Sequence, residues 1–391
     1  MASLDELEKT TTITMTISSY NKITIDSAAL EKNYRLIRQH VPHPSKIMAM
    51  IKSDGYGHGM ITCAEAFARA GCEHFGVAEM SEGVDLREAG CAGTILTFMG
   101  FDHRWSDYFF SHNLTPVIYD LADLLHIAAV AEHRQIRIPI YLKFDCGMSR
   151  LGFYPSEFSG LVSRLQAMEH VELAGLMSHF PCTDDRSSDN TTQVYQVFNQ
   201  AVGTLSKESL SVRSIGNSGS ALYFPQTHDD MVRVGIALYG YYPDGRKGRL
   251  AADGELLEPA MSYSTRVLQV RDIAAGTGVS YGHTFIAETD MRLAVLPIGY
   301  SDGYPRTLSN RAEVLIRGKR ARLRGRVCMN LCMADITDID GVESGDEVIV
   351  LGTQGQETID ADELGAWCNT ISYEVLCSLG NNNERETRFT I

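Results

Sequence analysis

The stretch K-I-M-A-M-I-K-S-D-G-Y-G-H-G, Lys46 to Gly59, decides how the chain is read. Ile47 to Ile51 form an unbroken apolar run, the pattern of a buried strand. Lys52 stands at its C-terminal end, and Gly55, Gly57 and Gly59 then force a tight loop before the next helix. Burial disfavours the charged form of a lysine. A lysine here is therefore badly placed for solubility and well placed for covalent chemistry with a carbonyl, which needs a neutral amine. The same position also suits a lysine that buries its stem and snorkels its head into water.

Working outward, Asp26 reads as the N-cap of a helix whose Leu30, Tyr34, Ile37 and Val41 share one face. From Lys46 on, short apolar runs fall at 46–52, 75–79, 94–98, 115–119, 137–144, 172–178, 213–217 and 232–239. Helix-like stretches separate them at 60–71, 81–90, 121–133, 155–168 and 189–207. Eight strands alternating with helices predict an α/β fold of the (β/α)8 TIM-type barrel class. An open doubly wound sheet would call for a Gly-rich dinucleotide turn after the first strand, and that turn is missing. From about residue 250 the runs at 262–271, 291–297, 313–317, 327–336 and 346–352 are short, β-branched and broken by Gly or Asp turns. They predict a mostly β C-terminal domain with one helix near 360–368. The expected organisation is a leader and N-terminal strand over 1–26 packing with the β domain, a barrel over 27–248 and the β domain over 249–391.

A 391-residue chain has room for two domains and a large core. Its net charge of −14 argues against a nucleic-acid partner, and no basic stripe or stacking platform offsets it. Nine cysteines, odd in number and without paired spacing, suit a reducing, cytoplasmic setting rather than a disulfide framework. Cys328 and Cys332 lack the second pair a zinc site needs, so no metal is expected. No apolar run reaches membrane-spanning length and no signal peptide is visible. The Ser/Thr-rich first twenty residues suit a leader, or the stub of a longer, membrane-anchored protein.

In parallel barrels the reacting groups sit at the C-terminal strand ends, and phosphates favour the loops after strands seven and eight. Strand seven ends in Gly216–Ser220 (G-N-S-G-S), and strand eight contains R-V-G-I-A-L-Y-G, Arg233 to Gly240. The amides of Ser218, Gly235 and Ile236, with the Ser218 hydroxyl, suit a phosphate cradle. Each is a routine turn if taken alone. Lys143 and Arg150 flank the loop after strand five, and His179 ends strand six. A lone His or Arg at such a place is commonly structural; so many polar groups at one end of a barrel favour a site.

At this point the motifs add up. I-K-S-D-G-Y-G-H-G resembles the pyridoxal-lysine motif of the alanine racemase family, barrel-type pyridoxal phosphate enzymes. The resemblance continues through D-C-G-M-S-R-L-G-F, S-H-F, N-S-G-S, V-R-V-G-I-A-L-Y-G, V-S-Y-G-H-T-F, P-I-G-Y-S-D-G-Y-P-R, G-R-V-C-M-N and I-S-Y-E-V-L-C, in order, over residues 21 to 380. It implies pyridoxal 5′-phosphate as cofactor and Lys52 as its Schiff-base lysine and one acid/base group. Tyr281 is then the second acid/base group, donated by the other subunit of a homodimer with shared sites. Tyr56, Ser218, Gly235, Ile236 and Tyr373 match phosphate binders, and Arg233 matches the partner of the pyridine nitrogen. His179 matches the group that bonds toward that arginine. Arg150 and the Met329 amide match substrate-carboxylate contacts, Tyr300 lines the entrance, and Lys143 aligns with a lysine carbamylated in several relatives.

The residue types suit racemisation of a small amino acid, because inverting Cα needs a proton-transfer group on each face. The family usually has Asp where this chain has Asn330. An aspartate only accepts hydrogen bonds, whereas an asparagine amide also donates, so a substrate serine hydroxyl gains a partner there. The Asn form resembles the serine-preferring racemases associated with vancomycin resistance, which carry this domain behind a membrane segment absent here. The resemblance therefore implies an alanine and serine racemase that supplies D-amino acids for peptidoglycan precursors. A barrel-type pyridoxal phosphate decarboxylase shares the fold and the lysine. A non-catalytic pyridoxal carrier would stop after the barrel, and a cofactor-free phosphosugar enzyme would be colourless.

Overall fold

Residues 46–50 alternate their side chains across a strand, yet both faces are apolar, so this strand requires cover on both sides. The computed structural model, which describes residues 19–101, 103–203, 212–245 and 255–388, supplies that cover. The expected leader over 1–18, the end of the 189–207 helix and the domain boundary near 249 lie outside the described residues.

The chain opens with β1 (Lys22–Asp26). Asp26 Oδ1 then accepts from the amides of Ala28 and Ala29 at 2.9 and 3.1 Å and starts the helix Ser27–His40, whose buried face holds Leu30, Tyr34 and Ile37. The barrel strands are β2 (Lys46–Met50), β3 (His74–Val77), β4 (Thr94–Thr97), β5 (Thr115–Ile118), β6 (Ile138–Lys143), β7 (Val171–Met177), β8 (Arg213–Ser214) and β9 (Met231–Val234). They pair in the order β8-β7-β6-β5-β4-β3-β2-β9, every pair parallel. The ends of that order are drawn together by two bonds flanking β8 and β9: the Arg233 amide to the Gly216 carbonyl at 3.0 Å and the Asp230 amide to the Arg213 carbonyl at 3.2 Å. Met48, Met50, Leu96, Val117, Tyr141, Met177 and Met231 fill the lumen, while Ile47, Ala49, Ile51, Phe75, Val77 and Ile95 face the helical layer.

Two short helices, Ser106–Ser111 and Ser218–Tyr223, were not legible as helices because neither is long enough to show a period. The eighth run, read as 232–239, is extended only to Val234; Ile236–Tyr239 tightens into a 3₁₀ turn.

The second unit is mostly β. β1 sits inside its largest sheet, antiparallel to Met261–Arg266 and parallel to Arg385–Arg388. Glu347–Gln354, Glu313–Ile316 and Lys319–Arg322 extend that sheet, and Gln269–Ile273, Met291–Leu296 and Cys332–Asp335 form a second one. The run 262–271 is thus two strands in different sheets, and 327–331 is loop. The helix near 360–368 is Ala361–Cys368, and the sequence reading missed a second helix, Ser372–Asn381. This second helix presses on the barrel's Lys52 loop: a Cβ on Gly380 would lie 1.9 Å from the Gly57 carbonyl oxygen, so only glycine allows the approach. Among the described residues no helix is long and apolar enough to cross a membrane, and no His/Cys/Asp/Glu cluster could hold a metal.

Candidate active site

Lys52 follows β2 at the barrel mouth. Ser53, Asp54, Gly55 and Tyr56 all have positive φ (53, 52, 63 and 52°), making one left-handed turn. Such a turn costs roughly 1–2 kcal/mol per non-glycine residue, so it needs outside support. Glu82 Oε1 accepts the Ser53 amide at 2.6 Å, and its Oε2 accepts the Ala78 amide at 2.7 Å. Asp54 caps the next helix through the Met60 amide at 2.7 Å and pairs with Arg385 of the β domain. The Arg385 Nη1 also donates to the Gly57 carbonyl at 3.1 Å. The Lys52 amine makes no hydrogen bond with a described residue. Burial, then the Arg150 charge, lowers its affinity for a proton.

Arg233, buried on β9, anchors the floor. Its Nη1 donates to the Ser214 carbonyl (2.9 Å) and hydroxyl (2.7 Å), and its Nη2 to the Ser178 carbonyl (2.6 Å) and His179 Nδ1 (3.0 Å). An arginine only donates, so His179 Nδ1 is the bare nitrogen and its proton sits on Nε2. Burial, then Arg233, Arg150, Lys143 and Lys52, push the His179 imidazole far below its usual value and keep it neutral. Burial and Arg150 bring Arg233 down to about 10, still charged at neutral pH. Its Nε has no partner among the described residues.

Lys143, 5% exposed, donates to the Leu151 carbonyl at 2.6 Å. Burial, then Arg233 and Arg150, lower it to about 8. Asp145 shapes the Arg150 loop, its carboxylate accepting from the amides of Gly147, Met148, Ser149 and Arg150 at 2.7–3.0 Å. Burial opposes the charge on Asp145, and those four amides outweigh it.

Beside this cationic floor, the Ser218 hydroxyl accepts the Gly235 amide at 2.9 Å. A Cβ on Gly235 would lie 2.5 Å from the Tyr56 hydroxyl, so glycine keeps that wall open. The Tyr56 ring packs, tilted by 30°, on Tyr239 at 4.8 Å and stands 6.1 Å from Tyr373, which the second domain supplies. Burial raises both the Tyr56 and the Tyr373 phenol, keeping them neutral donors.

Lys52, Tyr56, Lys143, Arg150, His179, Ser218, Arg233, Gly235, Ile236 and Tyr373 therefore gather at one barrel end. The remaining candidates do not join them with cover of their own: Tyr281 is 69% exposed, Met329 56% and Tyr300 45%, all on the β domain. Ser280 ties the Tyr281 turn to the Met329 loop, donating to the Arg326 carbonyl at 2.7 Å. Sequence reasoning missed Glu82, Arg385 and Tyr239, the last holding the strand end by donating to the Met50 carbonyl at 2.9 Å. Only Glu82 carried a local signal, three residues beyond Glu79 in the capping position.

The donor set fits pyridoxal phosphate. Lys52, Lys143, Arg150 and Arg233 call for an anionic occupant, the amides of Ser218, Gly219 and Ile236 have no acceptor among the described residues, and Arg233 Nε is left for a ring nitrogen. A parallel barrel with such a lysine, joined to a β domain, defines the barrel class of pyridoxal phosphate enzymes.

Comparison with known proteins agrees. The family models for the alanine racemase N-terminal and C-terminal domains match residues 25–243 and 260–387. The alanine racemase of Syntrophobacter fumaroxidans is 37% identical over 365 residues, 93% of this chain and 96% of its own. That of Nitratidesulfovibrio vulgaris is 39% identical, covering 94% and 98%. Among solved structures, alanine racemase from a D-cycloserine-producing Streptomyces lavendulae superposes with a TM-score of 0.89 at 31% identity, covering 96% and 99%. The Bartonella henselae enzyme with covalently bound pyridoxal phosphate gives 0.86 at 29% identity, covering 95% and 100%. The chain belongs to the alanine racemase family, pyridoxal phosphate-dependent isomerases.

Proposed function

We propose that the chain interconverts the L and D forms of alanine and of serine, with Lys52 and Tyr281 as the two proton-transfer groups, and supplies D-amino acids for peptidoglycan precursors. The observations that carry this reading are a Lys52 amine at the barrel mouth with no hydrogen bond to a described residue, and a Tyr281 phenol left exposed on the other domain. In a homodimer Tyr281 of one copy reaches the mouth of the other, so that one proton-transfer group stands on each side of Cα.

When bound, pyridoxal phosphate withdraws electrons from Cα and makes its proton removable. Lys52 and tyrosine hydroxyls both ordinarily titrate near about 10, so lowering is needed, and burial beside Arg150 supplies it at Lys52. Ser218, Gly235, Ile236, Tyr56 and Tyr373 would hold the cofactor phosphate. Arg233 would be the partner of the pyridine nitrogen and, holding its own proton, would leave that nitrogen uncharged, which disfavours transamination. His179, neutral, fixes the Arg233 guanidinium. Arg150 and the Met329 amide hold the substrate carboxylate, and Tyr300 lines the entrance.

The deciding experiment is a chiral assay of the purified holoenzyme with L-alanine and L-serine side by side. Asn330→Asp is expected to lower the serine-to-alanine ratio of kcat/KM by about three- to tenfold, the loss of one neutral hydrogen bond. An unchanged ratio removes serine selectivity from Asn330.

Lys143, with its amine near 8, is deprotonated enough to take up carbon dioxide, and a carbamate there would face Arg150 with negative charge. Equilibration with ¹³C-bicarbonate is expected to give a carbamate carbon resonance in wild-type protein. Its persistence in Lys143→Met would assign it elsewhere.

A decarboxylase remains the second reading. Release of carbon dioxide from L-alanine, L-serine or L-lysine, with no D product, would select it.

A further inference from the structure

Two segments of the β domain run side by side near the exposed Tyr300 and Met329. The Tyr300 amide donates to the Cys328 carbonyl and the Ser301 amide to the Met329 carbonyl, each at 3.0 Å. The Ser301 side chain adds two contacts. Its hydroxyl lies 2.8 Å from the Met329 carbonyl oxygen and 2.6 Å from Asn330 Nδ2. The Asp302 carboxylate, at 3.5 Å, competes poorly for the same proton.

Hydrogen-bond polarity fixes the rest. A carbonyl oxygen only accepts, so the Ser301 proton goes to Met329. The Ser301 oxygen then offers Asn330 nothing but lone pairs, and only the amide nitrogen can answer them. An asparagine side chain is nearly symmetric in shape, so without such a partner its two ends exchange at little cost. Here one end is committed. Oδ1, which has no hydrogen bond with a described residue, is turned the other way together with the second N–H.

We infer that Ser301 is a positioning residue for substrate selection: it sets which atoms of Asn330 meet the substrate and ties that choice to the Met329 peptide. This rests on the proposed reading that Asn330 contacts the substrate side chain. A serine substrate then finds the second Asn330 N–H free to donate to its hydroxyl oxygen, a contact aspartate cannot make, with Oδ1 beside it. Aspartate at 330 breaks the arrangement, because a carboxylate has no N–H for Ser301. It would instead draw the Ser301 proton away from the Met329 carbonyl. The two positions, 29 residues apart in sequence, therefore work as one unit.

The test uses the holoenzyme and reads Ki for L-serine as a competitor of alanine racemisation, alongside serine kcat/KM. Ser301→Ala is expected to raise serine Ki by about three- to tenfold and alanine KM by clearly less, since the Ser301 amide still holds Met329. Ser301→Thr, which keeps the hydroxyl, is expected to restore serine binding. In an Asn330→Asp background, Ser301→Ala is expected to add less than about twofold, because the pair is already broken. Equal losses for alanine and serine, failure of threonine to rescue, or additive losses in the double variant would each overturn the assignment. If wild-type enzyme binds serine without racemising it, the serine racemase reading fails while the Ki comparison still decides the role of Ser301. If serine does not compete with alanine at all, both fall.

Discussion

Mixing an inactive Lys52→Ala enzyme with an inactive Tyr281→Phe enzyme, under conditions that allow subunits to exchange, is expected to restore racemisation to roughly a quarter of the wild-type level. Each variant alone is expected to lose about 10²–10⁴ in kcat or more, the usual worth of a positioned acid/base group, with Lys52→Ala also losing its covalent hold on the cofactor. Random exchange makes half of all dimers hybrid. In a hybrid, one site takes Lys52 from one chain and Tyr281 from the other and is intact, while its twin lacks both. The arrangement is read from a phenol that is 69% exposed, on a domain that does not cover it, and from a barrel mouth where burial lowers the proton affinity of Lys52 and Lys143. Tyr281→Phe keeps the ring and its packing, so its loss isolates the hydroxyl. If hybrids verified by differently tagged subunits stay inactive, Tyr281 acts within its own chain and the shared site is wrong.

The parts of the site that repeat along the chain were the parts legible in sequence. A parallel barrel places successive strand ends around one mouth, so Lys52, Lys143, His179 and Ser218 declared themselves by being polar where an apolar run stops, whereas Arg233, inside its strand, was legible only through the family resemblance. What escaped was non-local. Glu82 supports the left-handed turn at Ser53 from 29 residues away, and Arg385 reaches Asp54 from the far end of the chain. No period connects such positions: Glu82 meets Ser53 only once the barrel closes its loops, and Arg385 meets Asp54 only once the β domain docks. Helix Ser372–Asn381 was missed for a different reason. Asn369, in the left-handed conformation with φ of 60°, ends the preceding helix, and the next begins three residues later, so two short periodic stretches merge into one ambiguous run. That helix carries Tyr373 and packs on Gly57, joining the β domain to the Lys52 loop. The Ser301–Asn330 bond belongs to the same class: its content lies in hydrogen-bond direction, which a sequence motif does not encode.

Stability is expected to fall steeply as pH drops from 6.5 toward 4, with His58 as a main cause. His58 is 1% exposed under the Lys52 loop, its Nδ1 3.1 Å from the carbonyls of both Gly55 and Tyr56 and its ring 4.6 Å from Tyr239. Two carbonyls at Nδ1 place the proton there, and Nε2 is buried without a donor or acceptor among the described residues. A second proton would sit on Nε2 with nothing to receive it. Burial therefore lowers the His58 imidazole from 6.5 to about 4, with Arg385 adding to the effect and the two carbonyls and Asp54 opposing it. Because the folded-state value is the lower one, the unfolded chain binds the proton first. The stabilisation is complete above pH 6.5 and is lost as pH falls through the window down to about 4, amounting to about 3 kcal/mol at full extent. His179, depressed in the same sense, steepens the loss. Denaturant midpoints measured at intervals from pH 7.5 to 4.5 are expected to show that slope in wild-type protein. His58→Phe keeps a ring against Tyr239 and removes the titrating group; it is expected to start lower at pH 7.5 and fall less. Parallel slopes for the two proteins would mean that the acid sensitivity arises elsewhere. A flatter slope in His58→Phe would place it under the turn that carries Lys52, so that acid loosens that turn as it unfolds the barrel mouth.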